Sequence, residues 1–131
     1  MKIGVIIGRF QVPYLHPGHL HLIDSVIKEC DKVLVVLGAT ITEERDDRHP
    51  YSHSERYDMI KSEYPQVEIC KLYDRETDVE WSKALDSTLI SYRCKHTDTT
   101  LYHSRDSFVN AYSGIYPTKE VPELPGFSGT K

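Results

Sequence analysis

The chain has 131 residues and a formal net charge of −4, with 27% charged and 39% hydrophobic residues. That size and balance predict one globular domain, residues 1–131, with a core of its own. They provide no basic surface for a sequence-independent grip on nucleic acid. No run approaches the length of a membrane-spanning helix. The apolar stretch Ile3 to Ile7 is too short for a signal peptide, so a cytoplasmic protein is expected. Cys30, Cys70 and Cys94 are widely spaced and form no CxxC pair. They predict reduced thiols rather than disulfides or a structural zinc.

Lys2 to Ile7 (KIGVII) and Lys32 to Leu37 (KVLVVL) are continuous, β-branched apolar runs, each followed by a glycine, Gly8 and Gly38. Runs without alternation predict strands covered on both faces, as in a parallel sheet. Between them, Gly18 to Cys30 places Leu20, Leu22, Ile23, Val26 and Ile27 at helical spacing behind Pro17, a residue suited to the first helical position. The resulting βαβ unit should cross over right-handed. The rhythm then repeats: a helix over Ser54 to Tyr64, a strand over Gln66 to Leu72, and a helix over Asp78 to Tyr92 with Trp81, Leu85, Leu89 and Tyr92 near one face. Short strands follow at Thr99 to His103 and Gly114 to Val121, while Ala39 to His53 reads as a polar loop. The pattern predicts a three-layer α/β/α domain with a mostly parallel, Rossmann-like sheet.

The stretch GRFQVPYLHPGHLHLI, residues 8 to 23, falls where such sheets bind ligands, beyond the carboxyl end of a strand and at a helix N-terminus. His16 and His19 bracket the first helical turn, and Gly18 between them has no side chain to hold a phosphate off the backbone. With Arg9 nearby, these groups could form a polyphosphate site. His16, His19 and His21 lack Cys, Asp or Glu partners at a recognised metal spacing, so no metal site is predicted. His21 reads as a solvated residue outside the site. Neither GxxxxGK[ST] nor GxGxxG occurs, and no GxSxG or Cys/His nucleophile pattern stands out. Such a chain, if an enzyme, would stabilise a charged transition state rather than form a covalent intermediate.

GRFQ (residues 8–11) followed by HPGH (residues 16–19) resembles the signature of the HxGH nucleotidyltransferase superfamily. Within it, GRFQ is similar to nicotinamide-nucleotide adenylyltransferases of the archaeal type and of the bacterial type often fused to a Nudix domain. RHPYSHSERYDMI (residues 48–60) resembles that branch's R-N-P-[FW]-[ST]-x-x-E-R-x-x-M-I segment. LYHSRDSF (residues 101–108) resembles its G-S-R-D-S segment, and FSGT (residues 127–130) the start of I-S-x-T-x-x-R. The matches run in order across nearly the whole chain. Three departures stand out. Val12 to Leu15 lengthen the first loop by two residues, and His49 replaces the branch's Asn. The chain ends at Lys131, ahead of the last motif's arginine, as a C-terminally truncated member would.

The resemblance implies transfer of AMP from ATP to nicotinamide or nicotinate mononucleotide, with release of pyrophosphate. His16 and His19 are implied as the catalytic pair, His19 stabilising the pentacovalent transition state, as donors titrating near neutral pH. Gly8, Arg9, Phe10, Gly18, Arg105, Ser128 and Thr130 are implied on the ATP and its phosphates. Trp81, Arg48, Ser104 and Asp106 are implied on the substrate. Mg²⁺ is expected as cofactor, bridging the phosphates with few protein ligands. The resemblance also implies a tendency to assemble as a homo-oligomer. Several residues carry a second reading. Phe10 also fits the core, Trp81 also fits helix-to-sheet packing, and Arg45 and Arg48 sit among acids as a salt-bridged, solvated face would. Glu55 and Arg56 read as fixing the loop-to-helix junction. Two other functions remain open: an HxGH transferase using CTP or another phosphorylated acceptor, and a non-catalytic module that senses NAD or its precursor. Against the former, the R-T-x-G-[IV]-S-T-T pattern usual in cytidylyltransferases is absent.

Overall fold

The structure, a computed structural model, describes residues 1–40, 50–104 and 108–122. Among the described residues, five strands and three α-helices follow in order: β1 (Ile3–Gly8), α1 (Pro17–Glu29), β2 (Lys32–Ala39), α2 (His53–Glu63), β3 (Glu68–Tyr73), α3 (Asp78–Ser91), β4 (Thr99–His103) and β5 (Thr118–Glu120). A 3₁₀ turn, Phe108–Asn110, precedes β5. The sheet runs β3-β2-β1-β4-β5 with every neighbouring pair parallel. The predicted architecture and the order of its elements are therefore present, with most ends within two residues of the expected places.

The strand runs are apolar throughout because both faces are covered. Along β2, Val33, Val35 and Leu37 pack with Ile23 and Val26 of α1 and Ile60 of α2. Leu34 and Val36 point the other way, into a second core with Leu85 and Leu89 of α3. The period of two thus assigns alternate residues of one run to two separate cores. Helices α1 and α2 cover one face, and α3 the other.

The chain leaves β1 toward β2 and β3, then returns to place β4 and β5 on β1's opposite side. This reversal opens a crevice above the carboxyl end of β1, where the loop carrying Arg9 and Phe10 emerges.

Two sequence expectations shift for local reasons. The strand expected from Gly114 begins only at Thr118. Asp86 ties down the preceding residues: its carboxylate accepts from Tyr112 Oη and, at 3.1 Å, from the Ile115 N–H. Tyr92, expected on the buried face of α3, lies just past the helix end and is exposed. Among the described residues, no helix is long and apolar enough to cross a membrane.

Gly4 sets how closely α1 approaches the sheet. A Cβ there would lie 2.4 Å from Val26 Cγ1 and 2.8 Å from Cys30 Sγ, which forces α1 outward. Gly4→Ala is expected to destabilise the fold by about 1–3 kcal/mol through overpacking, seen as a lower urea midpoint with an unchanged m-value.

Candidate active site

Helix α1 starts with histidines where a Ser, Thr, Asp or Asn is usual. His16 is the N-cap, in extended conformation, and Pro17 occupies the first turn. The Gly18 N–H donates to His16 Nδ1 at 3.0 Å, and the His16 N–H donates to His19 Nδ1 at 3.3 Å. The two rings stack with centroids 3.6 Å apart and an interplanar angle of 26°. A nitrogen that accepts an N–H bond carries no proton, so both rings are Nε2–H tautomers. Neither cap survives protonation of its Nδ1. Burial, and then the neighbouring His16, push the His19 pKa down to about 4. The expectation of a histidine titrating near neutral pH is corrected accordingly: His19 is a neutral N–H donor throughout the physiological range.

Gly18 also has a different reason from the one expected. A Cβ there would meet His16 Cε1 at 2.9 Å and Nδ1 at 3.1 Å. The missing side chain makes room for the capping imidazole, and the Gly18 N–H is already bonded.

Phe10 packs into the α1-side core, its ring centroid 5.2 Å from that of His19. Of its two readings the structure supports the core. Its φ of 51° lies in the left-handed region, where a bulky residue persists only if its surroundings hold it. Those surroundings are fixed by α2. Ser52 and Glu55 form a capping box, and the buried Arg56 that follows donates through Nη1 to Arg9 O at 2.8 Å and Gly38 O at 2.6 Å. Arg56 thereby ties the carboxyl ends of β1 and β2 together. Gln11 adds a reciprocal pair with Tyr51, at 3.1 Å from Nε2 to Tyr51 O and 2.9 Å from Tyr51 N–H to Oε1. These residues shape the corner beside the histidine pair, with Phe10 between it and the core. The reading of Glu55 and Arg56 as junction residues agrees with their contacts.

Arg9 does not join the histidines. Its guanidinium pairs with Asp74, which follows β3, and its stem lies over Gly38. One guanidinium nitrogen, Nη1, is buried without a protein partner. Arg9 and Asp74 line a cavity of about 350 Å³ together with Arg75, Asp78, Trp81 and Phe108. Trp81 stands at its side, half-buried, tilted against Phe108 and edge-on to Tyr112 with centroids 6.2 and 6.5 Å away. The site thus has two parts: a donor pair at the α1 N-terminus and an aromatic cavity at the α3 N-terminus whose wall carries both arginines and aspartates. Asp74 and Arg75 escaped the sequence reading. Their signal, polar residues directly after a parallel strand, is one that many loops share.

Gly8 ends β1, and a Cβ on it would press on the Phe10 ring at 3.0 Å. Ser104 follows β4, its carbonyl 3.0 Å from Nδ1 of the buried His103. His21 bonds Pro122 O at 2.8 Å, away from the histidine pair. Arg48, Arg105, Asp106, Ser128 and Thr130 lie outside the described residues. Among the described residues, no group of three or more His, Cys, Asp or Glu is arranged to hold a metal. The chemistry this geometry offers is donation to developing negative charge by fixed N–H groups.

The lowered His19 pKa makes folding depend on pH. Unfolded, this histidine binds a proton below about 6.5; folded, it resists until about 4. Its stabilising contribution is complete above the upper value and is lost as pH falls toward the lower one. The His19→Gln variant retains an acceptor for the His16 N–H but does not titrate. Urea unfolding at pH 4.5 and pH 7 (roughly the two ends of that window) is expected to show a smaller loss of stability on acidification in the variant than in the wild type.

Comparison with known proteins bears on the whole chain. The sequence pattern of the cytidylyltransferase-like family matches residues 5–128. The bifunctional protein HldE of Acidiphilium cryptum is 24% identical over 131 residues, which is 98% of this chain and 26% of that protein. Among solved structures, the bifunctional NMN adenylyltransferase/ADP ribose pyrophosphatase of Francisella tularensis, complexed with AMP and a manganese ion, superposes with a TM-score of 0.77. It is 24% identical, over 98% of this chain and 39% of its own. A NadR protein in complex with NAD and AMP-PNP superposes with a TM-score of 0.65 at 17% identity, over 95% of this chain and 38% of its own. The chain therefore spans about a quarter of the curated relative and under two-fifths of these solved chains. At such identities the structural likenesses show the fold, a nucleotidyltransferase-like α/β domain. The family follows from the sequence pattern, whose match extends over nearly the full length: the chain belongs to the cytidylyltransferase-like family.

Proposed function

We propose that this domain is a nucleotidyltransferase that joins AMP from ATP to nicotinamide or nicotinate mononucleotide. The observation that carries the reading is the stacked His16–His19 pair at the α1 N-terminus, with both Nδ1 atoms used as caps and both Nε2–H groups left as donors. The GRFQ loop and the cavity beside Trp81 favour a pyridine nucleotide as acceptor.

In this reaction an oxygen of the acceptor's 5′-phosphate forms a bond to the α-phosphorus of ATP. The bond from that phosphorus to the bridging oxygen breaks, and pyrophosphate leaves with the electron pair. Positioning and charge neutralisation supply the rate. His16 and His19 hold the phosphates, and His19 donates to the oxygens that gain charge in the transition state. Because His19 is neutral, it adds a hydrogen bond without a counter-charge that would trap pyrophosphate. Arg9, set in the Trp81 cavity, reaches the acceptor's phosphate. Trp81 stacks on the pyridine ring, a task suited to a flat aromatic. Gly8, Phe10 and Gly18 shape the nucleotide's approach, and Ser104 lies on the substrate side. Arg48, Arg105, Asp106, Ser128 and Thr130 belong to the site by resemblance alone. Mg²⁺ enters with ATP as part of the substrate, which suits a histidine pair without a carboxylate cage. A cytoplasmic location and homo-oligomeric assembly complete the proposal.

A second reading rests on the HldE relative, whose likeness spans 98% of this chain: the same adenylyl or cytidylyl transfer to a different phosphorylated acceptor. The assay that separates the two follows NAD formation from nicotinamide mononucleotide, ATP and Mg²⁺, with CTP in parallel. NAD is expected with ATP alone. His19→Ala should lower kcat about 10²- to 10³-fold, the usual cost of removing one fixed donor to a transition-state oxyanion. Turnover of either nucleotide only with other phosphorylated acceptors would transfer the assignment to the second reading.

A further inference from the structure

The outer face of α3 carries an apolar patch that adenylyl transfer does not use. Six large apolar side chains are exposed among the described residues, and four of them lie on or beside this helix: Val79, Ile90, Tyr92 and Ile115. Val79 and Ile90 are about three helical turns apart and so share one face, with Lys83 and Ser87 exposed between them. Leu85 and Leu89, on the opposite face, are buried. Ile90 and Ile115 line a cavity of about 510 Å³ at the C-terminal end of the helix, together with Arg93, Lys95 and His96.

Charge is divided along the helix. Glu76, Asp78 and Glu80 stand at its N-terminal end, and Arg93, Lys95 and His96 at the other, all of them exposed. Glu76, Arg93 and Lys95 form no ion pair with another described residue. Acids at the start and bases at the end also suit the helix's own dipole. Arg93 has no such local use. It closes α3 in a Schellman motif, where its N–H donates to Ile90 O and the Cys94 N–H to Leu89 O, both at 2.9 Å. Its φ of 63° is the left-handed conformation for which glycine is the usual residue. A long, exposed side chain is kept there against a backbone penalty, at the edge of an apolar cavity.

We propose that α3 is the interface of a two-fold symmetric dimer, in which Val79 of each copy enters the cavity between the partner's Ile90 and the partner's Ile115. The proposal gives a surface to the homo-oligomer and is independent of the reaction. The occupant is a second copy because the surface is self-complementary: antiparallel helices bring the acidic end of each to the basic end of the other. With Val79 opposite the partner's Ile90, Glu76 falls opposite the partner's Arg93, and Lys83 opposite the partner's Asp86. Ser87, a small residue, allows the helices to approach near the axis. Trp81, about 200° around the helix from Val79, stays clear of the contact. One helix face and its adjoining cavity make a small interface, so a dissociation constant on the order of 10 μM is expected.

Sedimentation velocity from about 1 to about 300 μM protein tests the proposal. The wild type is expected to pass from monomer to dimer and stop there, and about 1 M NaCl should weaken the dimer. Ile90→Glu should stay folded, since its side chain is exposed, and weaken the dimer at least about tenfold. Glu76→Arg and Arg93→Glu should each weaken it about three- to tenfold. An equimolar mixture of those two variants, or both changes in one chain, should restore it. Arg93→Gly should raise the urea midpoint of the monomer by removing the left-handed strain, yet weaken the dimer, which a purely structural arginine would not do. A wild type that stays monomeric throughout overturns the proposal, as does a dimer indifferent to Ile90→Glu and to the charge exchange. Assemblies that grow past the dimer also overturn it, because they would mean a head-to-tail contact. NAD formation by the wild type is read separately, so failure of the dimer leaves the transferase reading intact.

Discussion

Helix α1 is capped by imidazoles, and the site's geometry depends on that substitution. A serine or aspartate would satisfy the first N–H groups equally well but would project nothing further. Histidine has two nitrogens: Nδ1 closes the helix end, and Nε2 is left as a donor beyond it. Because His16 and His19 cap reciprocally, each ring is held by a backbone hydrogen bond and by the face of the other. One arrangement thus serves local structure, tautomer and orientation together. It also accounts for the intervening residues, since proline starts the turn and only glycine leaves space for the His16 ring.

The sheet converts this local motif into a site. The reversal of strand order at β1 leaves a crevice above its carboxyl end. The two faces of the sheet then contribute separately. From the α1–α2 side come the histidines and the buried Arg56, which binds the ends of β1 and β2 through their carbonyls. From the α3 side come Trp81 and the Arg9–Asp74 pair. The proposed reaction between two phosphates would use such a division, because two anionic reactants must be held by different groups and brought together in line.

The parts legible in sequence are those with a strong periodic or local signal. β1 and β2 are unbroken apolar runs, α1 has helical spacing behind a proline, and the HPGH stretch falls between them; all stand where the pattern puts them. What escaped depends on distant partners, on how a side chain folds back, or on burial. Arg9 reads as a neighbour of the histidines because only seven positions separate it from His16, yet its partner is Asp74, 65 positions away. Gly18 reads as an opening for phosphate because sequence does not reveal which way the His16 ring folds. The lowered proton affinity of His19 arises from burial and a stacked neighbour, neither of which is visible in composition. The late start of β5 likewise reflects Asp86, on a different element.

In the proposed function, His16 and His19 accept backbone N–H groups at Nδ1 and present their Nε2 donors to phosphate. Long-range ¹H–¹⁵N correlation spectra of the imidazole nitrogens at neutral pH, recorded with and without magnesium pyrophosphate, test it most directly. Unprotonated Nδ1 and protonated Nε2 are expected for both His16 and His19, with the two Nε2 signals moving when pyrophosphate is added. Protons on Nδ1, or Nε2 signals that ignore pyrophosphate, would contradict it.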